Sequence, residues 1–300
     1  MTLSIVVITH NEEFNLARTL ESVQALVSDG RGEIIVVDAG STDRTVEIAK
    51  SFGAKVFVEE WKGYAAQKNS AIEKAEGKWI LSLDADEELE PALAAEIKLL
   101  FRQFPTDADL KTRIERVQSL TYLSTRRTMK DMRTKMKQHG DPDSFFIALT
   151  GYWIARKNFF LGRWIRYGGF WPDRKLRLFQ KGVALFEDRA VHEDAILSDG
   201  ITGTLKNALL HHSYPTLSDY IEHMNRYSSL GAEMVVAKAN GKVRFSVVNI
   251  VLRPLATFVY NYFFRLGFLD GREGLLLHLY HAVYVSWKYG KVWELSRKQP

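Results

Sequence analysis

Residues 79–88 read WILSLDADEE. A short run of apolar and β-branched residues that ends abruptly in acids is the pattern of a buried strand opening on a binding edge. Asp84 and Asp86 are alternate residues, and alternate residues of an extended chain point the same way. Two carboxylates so placed suit one hard divalent cation, Mg2+ or Mn2+, which prefers oxygen ligands and can bridge a diphosphate. The bland alternative is a helix start with acids in its first turn, because Glu87, Glu88 and Glu90 follow.

Outward from this strand the same alternation repeats. Residues 3–9, 33–37 and 55–58 are short strand-like runs rich in Ile and Val. Phe14, Ala17, Leu20, Val23 and Val27 form a helical stripe over 12–27. Ser41 or Thr42 is placed to cap a second helix, with Gly53 at its stop. A third helix is expected over about 64–75, stopped by Gly77, and Pro91 suits the first residue of a fourth. Strand-helix alternation of this kind implies an α/β fold with a Rossmann-like, mostly parallel sheet and helices on both faces.

Ligands bind beyond the carboxyl ends of the strands in such sheets. Three polar clusters fall there: Thr9 to Glu12, Asp38 to Asp43, and Asp84 to Glu88. Asp38 can accept from a ribose hydroxyl or a base N–H, since Asp43 or Ser41 suits the cap better and leaves it free. Thr9 and Asn11 line the same nucleoside pocket, and Glu12 joins them as a donor-binding candidate. The first strand is followed by HNEEFN rather than a Gly-rich turn, which argues against a dinucleotide oxidoreductase. Gln67 and Lys68 open a helix where a point charge can meet a phosphate. Arg174 and Arg177, in PDRKLRLF, alternate with apolar residues and can clamp a diphosphate or an acidic acceptor; strand surface charge is the alternative.

The chain has 300 residues, and its 46% hydrophobic content supports a sizeable core. Its formal net charge of +5 suits phosphates or an anionic membrane surface without choosing between them. With no cysteine there are no disulfides, and a reducing compartment is compatible. No signal peptide is expected, and the longest apolar stretch, 245–264, is interrupted by Arg253-Pro254. A core domain over 1–215 is expected, with a basic helical insertion at about 105–143. Residues 216–300 form an expected helical region whose aromatics and bases suit a membrane interface or oligomerisation. The insertion reads as a solvated hairpin or a lid, and the chain lacks a nucleic-acid-binding motif, so no such partner is expected.

The strings SIVVITHNEE, IIVVDAGSTDRT, WKGYAAQKNSA and WILSLDADEEL resemble family 2 inverting glycosyltransferases of the GT-A fold. RKNFFLGRWIRYGGFWPDRKLRLF, AVHED and LLHHSY narrow the resemblance to the bacterial lipopolysaccharide-core β-1,4-glucosyltransferase subfamily. It covers about 2–104 and 145–294, and departs at the insertion. It implies that Thr9, Asn11 and Asp38 hold the uridine of a UDP-sugar, Lys68 the pyrophosphate, and Asp84 the nucleotide or sugar. Asp86 would be the main metal ligand, with His211 near the metal or purely structural. The candidates for catalytic base are His192, Glu193 and Asp194, with Glu187-Asp188 as a rival upstream. The subfamily's Val-His-Glu pattern points to Glu193, with His192 orienting it or touching the acceptor.

The implied activity is transfer of a hexose, glucose by resemblance, to a lipopolysaccharide-core or other cell-envelope glycolipid or saccharide acceptor, by a cytoplasmic protein peripheral to the cytoplasmic face of the inner membrane. Two alternatives stay open: a polyprenyl-phosphate glycosyltransferase, and a non-catalytic nucleotide- or membrane-binding module.

Overall fold

The computed structural model describes residues 2–101, 121–122, 149–187, 194–198, 200–239 and 244–298. The insertion expected at 105–143, except for the backbone of 121–122, and the candidates Asp188, His192 and Glu193 lie outside the described residues.

The N-terminal alternation folds as β1 (Leu3–Thr9), α1 (Leu16–Val27), β2 (Gly32–Asp38), α2 (Thr45–Ser51), β3 (Lys55–Val58), α3 (Tyr64–Lys74) and β4 (Trp79–Asp84). β3, β2, β1 and β4 lie side by side and parallel. Both faces are covered. Ile5 and Val7 pack with Leu16, Leu20 and Val23 of α1, while Val6, Ile35 and Val37 pack with Ala65, Ala71 and Ile72 of α3. Each Val, Leu or Ile among them contributes roughly 1.5–3 kcal/mol when fully buried. This accounts for near-continuous apolar runs rather than alternation in β1 and β2.

Beyond β4 come β5 (Glu87–Leu89), α4 (Pro91–Phe101), β6 (Thr121–Tyr122), β7 (Leu149–Phe160), β8 (Arg163–Trp164), β9 (Asp173–Gln180), β10 (Ala184–Glu187), β11 (Asp194–Leu197) and β12 (Ile201–Tyr214). The sheet runs β3-β2-β1-β4-β9-β7-β12-β5, with β4–β9 and β12–β5 antiparallel. Only Ala85 and Asp86 separate β4 from β5 in sequence, yet three strands separate them in the sheet. Side chains of β9, β7 and β12 nonetheless meet at the short Asp84–Glu87 turn.

Three local expectations are corrected. Neither Ser41 nor Thr42 caps α2; Asp43 accepts from the Thr45 amide (3.0 Å) and hydroxyl (2.5 Å), while Ser41 turns back to Asp38. Gly77 does not stop α3, which ends at Lys74; a Cβ at Gly77 would lie 2.6 Å from Ser4 Oγ, so the residue is small to let β1 approach. The helical stripe expected from Glu12 begins at Leu16, because Asn15 folds back onto Glu12 in a turn.

Two compact units emerge. One gathers the described residues of 2–156, 174–187 and 194–211; the other gathers 157–173 and 212–298. In the second, α5 (Leu217–Lys238) opens on a capping box between Thr216 and Asp219. A continuous helical stretch follows: a π-turn at Val248–Leu252, α6 (Arg253–Val259) and a π-turn at Tyr260–Phe264. Pro254 does not end this stretch; the wider preceding π-turn accommodates a residue that has no amide to donate. A 3-10 turn at Gly267–Asp270 leads into α7 (Gly271–Lys298). Phe160, Ile165, Tyr220 and Leu277 form the core of this unit.

Candidate functional site

The carboxyl ends of β1 and β2 meet at a polar knot. Thr9 and Asp38 are register partners, and the Thr9 hydroxyl donates to Asp38 (2.8 Å). Asp38 is fully buried and also accepts from the Gly40 and Ser41 amides (3.0 and 2.8 Å) and the Ser41 hydroxyl (2.5 Å). The expectation that Asp38 is free is thus corrected: four donors converge on it and shape the loop after β2. Asn11, at φ 57°, bridges the two loops by donating from its amide to Ser41 (2.8 Å) and accepting from the Thr42 amide (2.9 Å). Glu12 anchors the same junction by donating its amide to Thr45 (2.7 Å). Burial raises the Glu12 carboxyl pKa; Asn15 opposes this, and the negative charges of Asp86, Asp43 and Asp84 reinforce it.

The second cluster surrounds the Asp84–Glu87 turn, and each neighbouring strand sends one side chain. β9 contributes Arg177, β7 contributes Arg156 and β12 contributes His211. Arg177 donates through Nη2 to both Asp84 and Glu87, the latter at 2.6 Å. Arg156 lies 3.1 Å from Glu87 and 3.9 Å from Asp84. From α3, Lys68 reaches the other Asp84 oxygen at 2.8 Å and stands 5.0 Å from the centre of the Phe186 ring. Lys68, Arg177 and Glu87 are buried. Such charges are tolerated only when paired.

Electrostatics follows from this pairing. Burial opposes the charge on Asp84, but Arg177, Lys68 and Arg156 hold its carboxyl well below the usual carboxylate range. Burial favours proton loss from Arg177, yet Asp84 and Glu87 raise its pKa above the ordinary value. Asp86 is half-buried, and its Oδ2 lies 3.4 Å from His211 Nε2. Burial works against its charge too, and His211 outweighs that, so its carboxyl is lowered.

Both Asp84 oxygens are engaged by cations, whereas Asp86 and His211 present an oxygen and a nitrogen side by side. Two donors bound to one cation at about 2.1 Å each stand roughly 3 Å apart, so this pair suits a shared divalent ion. Among the described residues no group of three or more His, Asp or Glu is arranged to hold a metal by itself. An ion on Asp86 and His211 would take its remaining ligands from phosphate oxygens and water, as Mg2+ and Mn2+ do.

Of the residues expected from sequence, Asp84, Asp86, Lys68, Arg177 and His211 come together here, while Thr9, Asn11, Glu12 and Asp38 form the neighbouring loop knot. Arg174 stands apart: it is exposed, and its spacing of three from Arg177 puts it on the opposite face of β9. Asp194 is paired with Lys175 at 2.8 Å. Arg156 and the role of Glu87 were not singled out from sequence. The signal for Arg156 was present, since an arginine inside the apolar strand YWIARKNFF must find a buried acid.

The glycosyl transferase family 2 model matches residues 4–162. An uncharacterised glycosyltransferase of Rickettsia typhi is 28% identical over 99% of this chain and 88% of its own length. The lipopolysaccharide core biosynthesis glycosyltransferase LpsC of Rhizobium meliloti is 24% identical over 98% of this chain and 93% of its own. Among solved structures, residues 1–349 of Staphylococcus aureus TarS align with 100% of this chain and 92% of that chain, at 16% identity and a TM-score of 0.40.

Proposed function

Since the chain belongs to glycosyl transferase family 2, we propose that it moves a hexose, glucose by resemblance, from a UDP-sugar to a hydroxyl of a cell-envelope glycolipid, with inversion. The observation that carries this reading is the convergence of Lys68, Arg156, Arg177, Asp86 and His211 on the Asp84–Glu87 turn. Fixed cations beside an acid–imidazole pair are what a leaving diphosphate requires as its negative charge grows. The loop knot of Thr9, Asn11, Glu12 and Asp38 receives the uridine. Asp86 and His211 would hold a divalent ion, which would supply positive charge to the diphosphate.

Glu193 takes the acceptor proton as general base. Its neighbour Asp194 is engaged by Lys175, which supports Glu193 over Asp194 in that role, and His192 orients it or contacts the acceptor. The hydroxyl then attacks the anomeric carbon from the face opposite UDP, the C–O bond to the diphosphate breaks, and a β linkage results from an α-linked donor. The relation to LpsC over nearly the whole chain supports an acceptor of the lipopolysaccharide-core class.

Isothermal titration with UDP, UDP-glucose, UDP-galactose and UDP-N-acetylglucosamine, with and without Mn2+, tests the donor site. Metal-dependent binding of one UDP-sugar is expected, and absence of binding to every uridine nucleotide rejects the reading. Retained anomeric configuration by NMR would reject the single displacement.

A further inference from the structure

Residues 244–269 read RFSVVNIVLRPLATFVYNYFFRLGFL. Twelve large apolar side chains of this stretch are exposed, among them Val248, Val251, Leu255, Phe263 and Phe264, the last at 75%. Val248, Val251, Leu252, Leu255, Phe263 and Phe264 recur at helical spacing along the π-α-π run, so these share the outward side. Asn249, Thr257 and Asn261 are half-buried instead, and Pro254 is buried. Ile250, Phe258 and Tyr262 are half-buried as well, so the run carries apolar side chains on its exposed side in addition to its covered one, unlike a helix that faces water. An ordinary soluble monomer's largest apolar patch is about 300–600 Å2, and twelve exposed large apolar side chains within 26 consecutive residues are an unusual concentration.

The charges on the stretch are Arg244, Arg253 and Arg265, with no Asp or Glu. Arg253 lies over the ring of Tyr289 (5.1 Å) and donates to its hydroxyl, and Arg265 lies 5.8 Å from the Tyr260 ring. Arginine beside tyrosine at the rim of an apolar face suits the headgroup level of a bilayer. No helix among the described residues is long and apolar enough to cross a membrane.

We propose that residues 244–269 form an in-plane membrane anchor that inserts its outward face into the interface of a bilayer rich in anionic lipid. The apolar face would sink about 5–10 Å, with the arginines on lipid phosphates. A second copy of this chain is the less fitting occupant. A two-fold contact pairs a patch with itself, and here it would set arginine against arginine with no acid between. The anchor would hold the enzyme on the surface that displays a glycolipid acceptor, but its evidence is independent of the donor site.

The test is flotation of the full chain, without nucleotide, on vesicles of phosphatidylcholine alone and of phosphatidylcholine mixed with phosphatidylglycerol. The parent is expected to float with the anionic vesicles, less so as salt rises. Leu255→Asp and Phe264→Asp alter exposed side chains and should each cut partitioning at least about tenfold, with unchanged circular dichroism and UDP affinity. A Phe264→Trp variant should show a blue-shifted emission quenched by brominated lipid. Failure of the parent to float on anionic vesicles overturns the proposal, as does undiminished flotation of both aspartate variants. So does a doubled mass in light scattering that Leu255→Asp abolishes while lipid binding stays absent. UDP titration of the same samples reports separately on the donor site.

Discussion

One nitrogen of Arg177, Nη2, donates to the carboxylates of both Asp84 and Glu87. Arg177 stands on β9 and the acids flank the turn between β4 and β5, so this contact ties the antiparallel part of the sheet to its parallel part. Glu87 is fully buried; it is paired with Arg177 and Arg156 and accepts from the Asp84 amide (3.0 Å).

Replacing Arg177 by Met leaves the buried Glu87 and the half-buried Asp84 undercompensated. A loss of about 3–5 kcal/mol is expected in urea unfolding, since breaking one side of a buried pair exposes the full desolvation cost of the other. The pH dependence has a definite sign. The Asp84 carboxyl is depressed in the folded state, so its stabilisation is present above the unfolded value near 3.8 and is lost as pH falls through the folded value. In Arg177→Met the acid transition should move to higher pH.

Asp86→Asn keeps the shape of the side chain and removes its charge. Metal-dependent binding of a UDP-sugar and transfer should fall by at least about 100-fold, because a catalytic metal contributes several kcal/mol. The melting temperature should change little, since Asp86 is half-buried and its contact is to His211. Turnover that persists in EDTA would reject the metal role.

Asp38→Asn replaces an acceptor for four donors with a group that must turn an NH2 toward some of them. A cost of roughly 1.5–3 kcal/mol is expected from the lost charged hydrogen bonds. UDP affinity should fall with it, because the Asn11–Ser41 bridge depends on the same loop. Calorimetry and urea unfolding on one preparation would read both effects.

His278 lies 1% exposed in the second unit, and neither ring nitrogen has a hydrogen-bond partner among the described residues. Burial first, and then His281, push its pKa down to about 4, with Asp270 opposing. Its unfolded value is near 6.5, so its neutral form is compatible with the fold at neutral pH, and stability drains as pH falls from about 6.5 toward 4. The loss should approach about 3 kcal/mol by pH 4. His278→Leu should flatten that part of the stability–pH curve.

The parallel half of the sheet was legible because β1, β2 and β4 are buried on both faces and therefore read as unbroken apolar runs. The acids at their ends were legible for the same reason, since polar residues at the end of a buried strand stand out. Lys68 and Arg177 could be nominated as cations for a phosphate, but their pairing with Asp84 could not be read, because α3, β4 and β9 come from distant parts of the chain. β5 was hidden because its three residues also make a plausible first helical turn.

The sequence by itself determined the α/β alternation and the three polar clusters at one sheet edge. Those features depend on local periodicity and on which residues can be buried. Only the tertiary structure decided that Asp38 is fully bonded, that Arg156 joins Arg177 on Glu87, and that His211 rather than Asp84 stands beside Asp86 with donors facing one point. These depend on the order β4-β9-β7-β12, which brings residues 84, 177, 156 and 211 together through hydrogen-bonded neighbours that no local pattern encodes. The outward face of residues 244–269 is of both kinds. Its apolar content is written in the sequence, while its exposure follows from which side of the helix the rest of the unit covers.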